Sequence, residues 1–332
     1  MRGRIKSLVT AVMAAALGVA APAAAQVVES ISPATPDLGN VVSAATGDTV
    51  FRVAASSGAV TRVSGNGTRL SSGSTRALVT ISCSTGVCRN NIINVRIGSI
   101  GSPSGRAGQL TNFTVSPGTA TIVTGPTGSN PIDFTIGPMG SAGTATFWVG
   151  ADFPIRGNDV GAGTGSAASG FYVYVASGVS TPTSGSTSGL AIANVFRPIA
   201  VSVQSPLAFG RIVRPSSGSG TVSIAAATGA RTVTGTGALG FGSPAPSRAS
   251  YTVTGEGGQI FSLSFPVSFQ MVGPGTPLTV SLTSTATGSQ VLSAAAGSAG
   301  TFSFGMGGSF PISSTTASGS YQGTYSLTVQ YN

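Results

Sequence analysis

The chain has 332 residues, of which 16 are lysine or arginine, 7 are aspartate or glutamate and none is histidine. Without histidine, Ser-His-Asp and Cys-His catalysis, histidine metal sites and imidazole acid-base chemistry are excluded. The formal net charge is +9, but the basic residues beyond the N-terminal segment are arginines scattered singly, without the clusters that bind nucleic acid. We therefore expect neither an enzyme nor a nucleic-acid-binding protein, and no cofactor.

The N-terminal segment has the three parts of a secretory signal peptide. Arg2, Arg4 and Lys6 precede an apolar run over residues 8–21, and small residues follow up to Ala25. This order predicts a signal peptide over residues 1–25, removed on export. No later segment has the length of a membrane-spanning helix, so we expect a secreted mature chain without a membrane span.

The chain has two cysteines, Cys83 and Cys88. In an exported protein a pair of cysteines is expected to be oxidised. The four residues between them suit a tight hairpin turn whose flanking positions face each other at bonding distance. We predict a structural disulfide between Cys83 and Cys88.

Two stretches of the chain are copies of each other. Residues 140–155 and 297–312 are identical, without a gap, at ten of sixteen positions. Arg76-Ala77 and Arg248-Ala249 form a second pair of matching landmarks, each followed by an alternating apolar segment. The duplication predicts two tandem domains, over residues 26–176 and 199–332. The Ser/Thr/Gly-rich residues 177–198 between them are predicted to form a linker or a long surface loop.

The local periodicity is that of β-strands. Apolar residues alternate with polar ones in many short segments, and Gly and Pro mark the turns between them. No segment of the mature chain has the spacing of an amphipathic helix. We predict an all-β protein with two tandem immunoglobulin-like or pilin-like β-sandwich domains after the signal peptide. The last alternating segment, which we expect to serve in assembly, presents on one face Tyr325, Leu327, Val329 and Tyr331.

Few residues are candidates for a ligand site. Asp152 and Asp159 lie seven positions apart in a Gly-rich stretch, and two carboxylates could serve a glycosidase or a calcium site. Only Asn158 joins them, so solvated loop acids are the preferred interpretation. Trp148, the single tryptophan, either lines a ligand patch together with Asp152 or fills the first core, and core filling is favoured.

The second copy resembles a known family. Its opening (207–213, LAFGRIV), its middle (251–256, YTVTGE) and its close (319–325, GSYQGTY, and 329–331, VQY) are similar to the domain of unknown function 4402 family of secreted domains of Gram-negative bacteria. The resemblance covers roughly residues 199–332. The first copy departs from the pattern, because Leu38 stands in place of Phe209 and the cysteine loop replaces Gly255-Glu256. The resemblance implies passage through the periplasm to the cell surface or the extracellular space.

The ending is also similar to that of chaperone-usher pilins and spore-coat-protein-U-like subunits of archaic pili. In those proteins the final strand has an aromatic residue next to last, as Tyr331 stands here. The resemblance implies a sandwich whose open sheet edge is completed by a donated strand. Its partners would be a periplasmic chaperone, an usher or other pilus subunits. The alternation of Ile199, Val201 and Val203 fits either the first strand of the second domain or a donor strand.

We therefore expect a secreted cell-surface or fimbrial protein with a structural or adhesive role that depends on strand-mediated assembly. The mature N-terminus is a poor donor strand because it runs into Pro33 and Pro36, which favours a two-domain subunit at a pilus tip. The alternative is a soluble extracellular carbohydrate- or matrix-binding module that does not polymerise. It would bind a surface glycan through loops near Trp148 or Asp152.

Overall fold

The computed structural model describes residues 27–31, 36–73, 75–83, 89–161, 163–177 and 186–332. Within these ranges the regular structure is β-strand, apart from two short 3-10 turns at Gly140–Ala142 and Asn158–Val160 and two α-helical residues, 89 and 90. The all-β prediction is confirmed. The predicted signal peptide lies outside the described residues. In the part of the chain that is described, no helix has the length and apolarity needed to cross a membrane.

The first sandwich contains the strands up to residue 196. They are β1 Val27–Ile31, β2 Asp37–Val42, β3 Thr49–Val53, β4 Val60–Ser64, β5 Thr68–Arg69, β6 Ala77–Cys83, β7 Ile93–Ser104, β8 Thr111–Pro117, β9 Ile122–Gly128, β10 Ile132–Ile136, β11 Thr144–Ile155, β12 Gly165–Ser177 and β13 Ser186–Phe196.

Two sheets face each other in the first sandwich. One has the order β1-β6-β11-β3-β4, with β8 also paired to β11, and the other has the order β5-β2-β13-β12-β7-β10-β9. Alternate side chains from both sheets point inward and form one continuous core. Phe51 and Phe147 enter the core from the first sheet, and Leu38 and Phe171 enter it from the second.

The second sandwich contains the remaining strands. They are β14 Ala200–Ser205, β15 Ile212–Val213, β16 Ser219–Ile224, β17 Arg231–Val233, β18 Leu239–Gly240, β19 Ala249–Glu256, β20 Ile260–Ser264, β21 Ser268–Met271, β22 Leu278–Ser284, β23 Gly288–Val291, β24 Ala299–Ser313 and β25 Thr328–Tyr331. Val201 and Val203 thus belong to the first strand of this sandwich, since β14 pairs with β19, and Ile199 immediately precedes that strand.

One sheet of the second sandwich repeats the six strands of the first sheet of the first sandwich and has one strand more. Its order is β14-β19-β24-β16-β17, with β22 also paired to β24, and the additional strand β21 pairs with β22. The registers match as well, because Val149 pairs with Ala77 in β11 and β6, and Met306 pairs with Ala249 in β24 and β19. The duplication read from the repeated residues is therefore present in the strand order and pairing.

The Arg-Ala landmarks have the same structural role in both copies. The Arg76 guanidinium donates to the carbonyls of Ala55 and Ser56, in the turn after β3. The Arg248 guanidinium donates to the carbonyls of Ala226 and Ala227, in the turn after β16. In each sandwich the arginine satisfies turn carbonyls that no strand pairs, which accounts for its repetition.

The prediction of a linker or a long surface loop is wrong for residues 186–196, and residues 178–185 lie outside the described residues. Residues 186–196 form β13, which pairs antiparallel with β12 and parallel with β2 in the middle of the second sheet. Its inward side chains are Ala191, Ala193 and Val195, all buried. The inward residues are small, and the outward residues include Leu190 and Ile192, so the sequence shows no clear alternation of apolar and polar residues and the segment was not recognised as a strand. The first sandwich accordingly extends to Phe196.

The predicted disulfide stays a prediction. Cys83 ends β6 with its side chain buried. Cys88 and residues 84–87 lie outside the described residues.

Candidate functional site: an open groove in the second sandwich

The second sheet of the second sandwich lacks one strand found in the first sandwich. In the first sandwich the central order is β5-β2-β13-β12-β7. In the second, β18-β15 repeats β5-β2, with Ile212 opposite Gly240 as Val41 is opposite Arg69. Likewise β25-β20 repeats β12-β7, with Tyr331 opposite Phe261 as Ser177 is opposite Ile93. Among the described residues, no strand pairs with both β15 and β25, so the sheet is split where β13 would lie.

A groove of about 960 Å³ occupies the place of this strand. One wall is residues 207–214, which lead into and include β15, and the other wall is residues 316–323, which precede β25. The floor is apolar and is formed by Phe269, Met271, Leu278, Phe310 and Ile312. We call this feature the open groove. The floor is apolar like the core of a sandwich, but among the described residues no strand covers it.

The segment before β25 shows the local effect of the gap. In the first sandwich, β12 runs as one strand over residues 165–177, held by β13 on one side and β7 on the other. The equivalent residues 319–327 are not in a ladder and make only an isolated bridge between Gln322 and Val272. Extended backbone without a neighbouring strand leaves amides and carbonyls unpaired, and the ladder resumes only at Thr328.

The core of the second sandwich is divided at the groove. One cluster lies beneath β25 and includes Phe261, Leu263 and Phe304. Another lies beneath the groove and includes Phe209 and Phe310, whose rings meet edge to face with centroids 4.8 Å apart. The first sandwich has one continuous cluster across the same region. The missing strand would join the two clusters.

The predicted assembly residues lie against the core beneath β25. Partly buried side chains packed on that cluster include Tyr325, Leu327, Val329 and Tyr331, as the alternation predicted. The Tyr325 hydroxyl lies 2.7 Å from that of Tyr251, and the Tyr331 hydroxyl accepts from the backbone N–H of Glu256 at 2.7 Å. Burial raises the pKa of both Tyr325 and Tyr331 above the ordinary tyrosine value. These hydroxyls are therefore neutral donors and acceptors that fix the segment in place.

Trp148 does not fill the first core. It lies on the outer face of β11, where the Arg76 guanidinium stands 3.8 Å above the centroid of its ring. The inward positions on either side are Phe147 and Val149. The favoured core-filling prediction is wrong, because Trp148 points to the face of β11 opposite to that of Phe147 and Val149. A cation-π contact covers its ring instead.

Asp152 is not a solvated loop acid. It lies in β11 with 2% of its surface exposed, and its carboxylate accepts two hydrogen bonds from Arg52, at 2.7 and 2.8 Å, and a third from Asn112 at 2.8 Å. Asp159 lies apart in a 3-10 turn, where it accepts from the backbone N–H of Gly47. The structure therefore does not bring the two carboxylates together, and it places Trp148 and Asp152 in separate pairs with arginine.

The groove itself was not identified from the sequence, although two signals for it exist. The first copy has the additional strand β13 after β12, and the connection between β24 and β25, residues 314–327, is longer than the equivalent connection between β11 and β12, residues 156–164. Both become visible only when the copies are superposed strand for strand.

Residues 199–331 match the family model described as "Domain of unknown function (DUF4402)". This match confirms the family resemblance expected for the second copy. A search of curated proteins finds no match. Among solved structures, the chain is similar to one from the CsuC-CsuE chaperone-tip adhesion subunit pre-assembly complex of the archaic chaperone-usher Csu pili of Acinetobacter baumannii. The TM-score is 0.27 at 8% identity, and the alignment covers 91% of this chain and 100% of the other.

Proposed function

We propose that the protein is a fimbrial subunit whose second sandwich accepts a β-strand donated by another protein. The observation that carries this proposal is the split sheet: β13 occupies the central position in the first sandwich, and the equivalent position between β15 and β25 is an open groove. The role is structural, and assembly proceeds through backbone hydrogen bonds and side-chain packing instead of catalysis.

An open edge of this kind favours a strand as the ligand. The groove has an apolar floor, and the backbone of residues 319–327 beside it is not part of a β-ladder. An extended peptide would therefore satisfy backbone groups and cover apolar surface at the same time. This is β-augmentation, in which main-chain hydrogen bonds give affinity and alternate side chains give specificity. A compact small molecule would cover the apolar surface but would not satisfy the backbone groups along the wall.

The first sandwich supplies a template for the donor. β13 runs antiparallel to β12 and parallel to β2, and every second residue of its buried stretch points inward. A donor placed by the same rule runs antiparallel to residues 319–328 and parallel to β15. Its inward positions follow those of Ala191, Ala193 and Val195. The floor of the groove requires these positions to be apolar.

The arrangement of the two sandwiches favours a terminal position in an assembly. The first sandwich contains its own β13, and β1 is already paired with β6 along five residues. The second sandwich has an acceptor groove. A subunit that accepts a strand and keeps its N-terminal strand in its own sheet suits the end of a fibre, with the first sandwich outermost. We propose an adhesive role for it there, reached through the periplasm with a chaperone that protects the groove.

The alternative of a non-polymerising glycan- or matrix-binding module has less support. The side chains expected to form its ligand patch, Trp148 and Asp152, are held by Arg76 and by Arg52 and Asn112. The carboxylate of Asp152 and one face of the Trp148 ring are therefore already in use within the first sandwich.

A peptide with the sequence of β13, residues 186–196, tests the proposed function. Added to the mature chain, the fluorescently labelled peptide should bind saturably, as followed by anisotropy. A matched peptide with aspartate at the positions of Ala191, Ala193 and Val195 should not bind, because it would place three carboxylates on the apolar floor. Equal binding of the two peptides, or binding of neither, would contradict strand acceptance.

A further inference from the structure

The two sandwiches meet at a junction built around one buried carboxylate. Glu256, at the end of β19, is 1% exposed and accepts four hydrogen bonds. Its Oε1 accepts from the Gly297 N–H at 2.5 Å and from the Thr164 hydroxyl at 2.9 Å. Its Oε2 accepts from the backbone N–H of Arg197 at 3.2 Å and from the guanidinium of Arg197 at 3.0 Å. A buried carboxylate paired and bonded in this way is fixed in position.

The junction joins residues of both sandwiches. Thr164 immediately precedes β12, Arg197 immediately follows β13, and Gly297 lies in the second sandwich just before β24. The Arg197 guanidinium also donates to the Thr164 hydroxyl at 2.7 Å and to the Gly297 carbonyl at 3.2 Å. The covalent connection from β13 to β14 is three residues, 197–199, and includes Pro198. The two sandwiches are therefore held by a short connection and a charged cluster.

Tyr331 links this junction to the wall of the open groove. Its hydroxyl accepts from the Glu256 N–H at 2.7 Å and donates to the Arg197 carbonyl at 2.9 Å, and its ring lies 6.0 Å from that of Phe196. Tyr331 is the last residue of β25 and Phe196 is the last residue of β13. Gly255 leaves the space that the Tyr331 hydroxyl requires, since a Cβ there would overlap it. β25, which follows the wall of the groove in the chain, and β13, the last strand of the first sandwich, thus end at the same place.

We propose that Tyr331 couples occupancy of the open groove to the rigidity of the junction between the two sandwiches. The proposal rests on the proposed function, because the ligand is the donated strand. A strand bound along residues 319–328 pairs with the backbone up to the start of β25, so that the ordered strand runs into β25 without a break. This restricts the motion of Tyr331 and of the groups that it bonds. A groove without a strand leaves β25 only four residues long and more free to fray. The coupling is reciprocal: the free energy by which a bound strand stabilises the junction equals the free energy by which a rigid junction strengthens strand binding.

Hydrogen exchange of the full mature chain, with and without the 186–196 peptide, tests the coupling. In the unsubstituted protein the peptide should slow exchange across residues 319–328 and should also slow exchange of the Arg197 and Gly297 amides by about fivefold or more. In Tyr331→Phe the peptide should still protect residues 319–328, but the two junction amides should no longer respond. Glu256→Gln should give the same loss of response.

Tyr325→Phe is the matched control. It removes a hydroxyl from the same terminal segment, but that hydroxyl bonds Tyr251 and touches no junction residue. We expect its junction amides to respond as in the unsubstituted protein. Protection of residues 319–328 with unchanged junction amides in the unsubstituted protein would overturn the coupling and leave the proposed function standing. An equal junction response in Tyr331→Phe would overturn the role of Tyr331. Protection of neither region would contradict strand acceptance and the coupling together.

Discussion

At the scale of single residues, two glycines let the long strands β11 and β24 change neighbours. β11 pairs with β6 up to Val149 and with β3 from Asp152, and Gly150 lies between these two ladders. A Cβ at Gly150 would overlap the Val53 carbonyl and press on the Ala55 N–H. The equivalent Gly307 faces Ile224 and Ala226 in the same way. Close approach of two backbones is the physical reason that glycine is kept at this point of both copies.

We expect Gly150→Ala and Gly307→Ala each to destabilise its own sandwich. Inserting a methyl group against fixed backbone costs about 1–3 kcal/mol, which lowers Tm by roughly 2–10 °C. Differential scanning calorimetry measures the change. Gly163→Ala and Gly242→Ala are matched controls, because nothing lies within 4 Å of a Cβ at either position. Equal Tm changes in the test and control variants would show that the close approach does not constrain these positions.

The sequence was informative about the repeated residues but not about the surroundings of Trp148 and Asp152. The repeated glycine and the repeated Arg-Ala landmarks predicted the duplication, and the structure shows that the identical residues of the two copies face equivalent backbone. The roles of Trp148 and Asp152 were predicted wrongly. Their partners Arg76, Arg52 and Asn112 are 40 or more residues away in the chain, and only the strand pairing brings them together.

At the scale of elements, β13 is the strand that distinguishes the two sandwiches. It is inserted between β12 and β2 and supplies Ala191, Ala193 and Val195 to the first core. Strands with large apolar residues, such as β6 and β19, were predictable from alternation alone. β13 was not, because its inward residues include the small Gly189, Ala191 and Ala193, and its outward residues include the apolar Leu190 and Ile192, so apolar and polar residues do not alternate clearly.

We expect the two faces of β13 to respond differently to a charge. Ala191→Asp places a carboxylate in the first core without a partner, at a cost of about 3 kcal/mol or more. Leu190→Asp, one residue earlier, places the same group on the outer face, where Leu190 is 53% exposed. Thermal unfolding of the two variants should therefore differ, with Ala191→Asp alone losing stability. Similar unfolding temperatures would mean that β13 is not packed as a core strand.

A proline divides one alternating segment of the second sandwich into two strands. Residues 260–269 alternate as one strand in the sequence, yet the chain forms β20 up to Ser264 and β21 from Ser268. Pro266 lies between them, and proline cannot donate to a ladder. β20 then pairs with β25, and β21 pairs with β22 in the opposite sheet. The break carries the chain from one sheet to the other at the end of the groove.

At the scale of the whole molecule, the protein is a duplication in which one copy is complete and the other is open. The sequence was sufficient to predict the duplication, the all-β fold and the inward face of the terminal segment. It was not sufficient to predict the groove, because β13 alternates too weakly to be recognised as a core strand of the first copy. The groove follows only from comparing the two sheets strand by strand.

The most direct test of strand acceptance is to give the second sandwich the strand that the first already has. In the first sandwich, residues 178–196 follow β12 directly and contain β13. A second copy of residues 178–196 placed after Asn332 would follow β25 in the same way. If it fills the groove, we expect a net gain of about 2–3 kcal/mol from covering the apolar floor, after the entropy of ordering the strand.

Calorimetry of this fusion protein should show the second sandwich unfolding roughly 5–10 °C higher than in the unfused chain. A fusion with aspartate at the added positions corresponding to Ala191, Ala193 and Val195 should show no gain. An unchanged unfolding temperature in the first fusion, or the same rise in both fusions, would contradict the conclusion that the groove is the place of a missing strand.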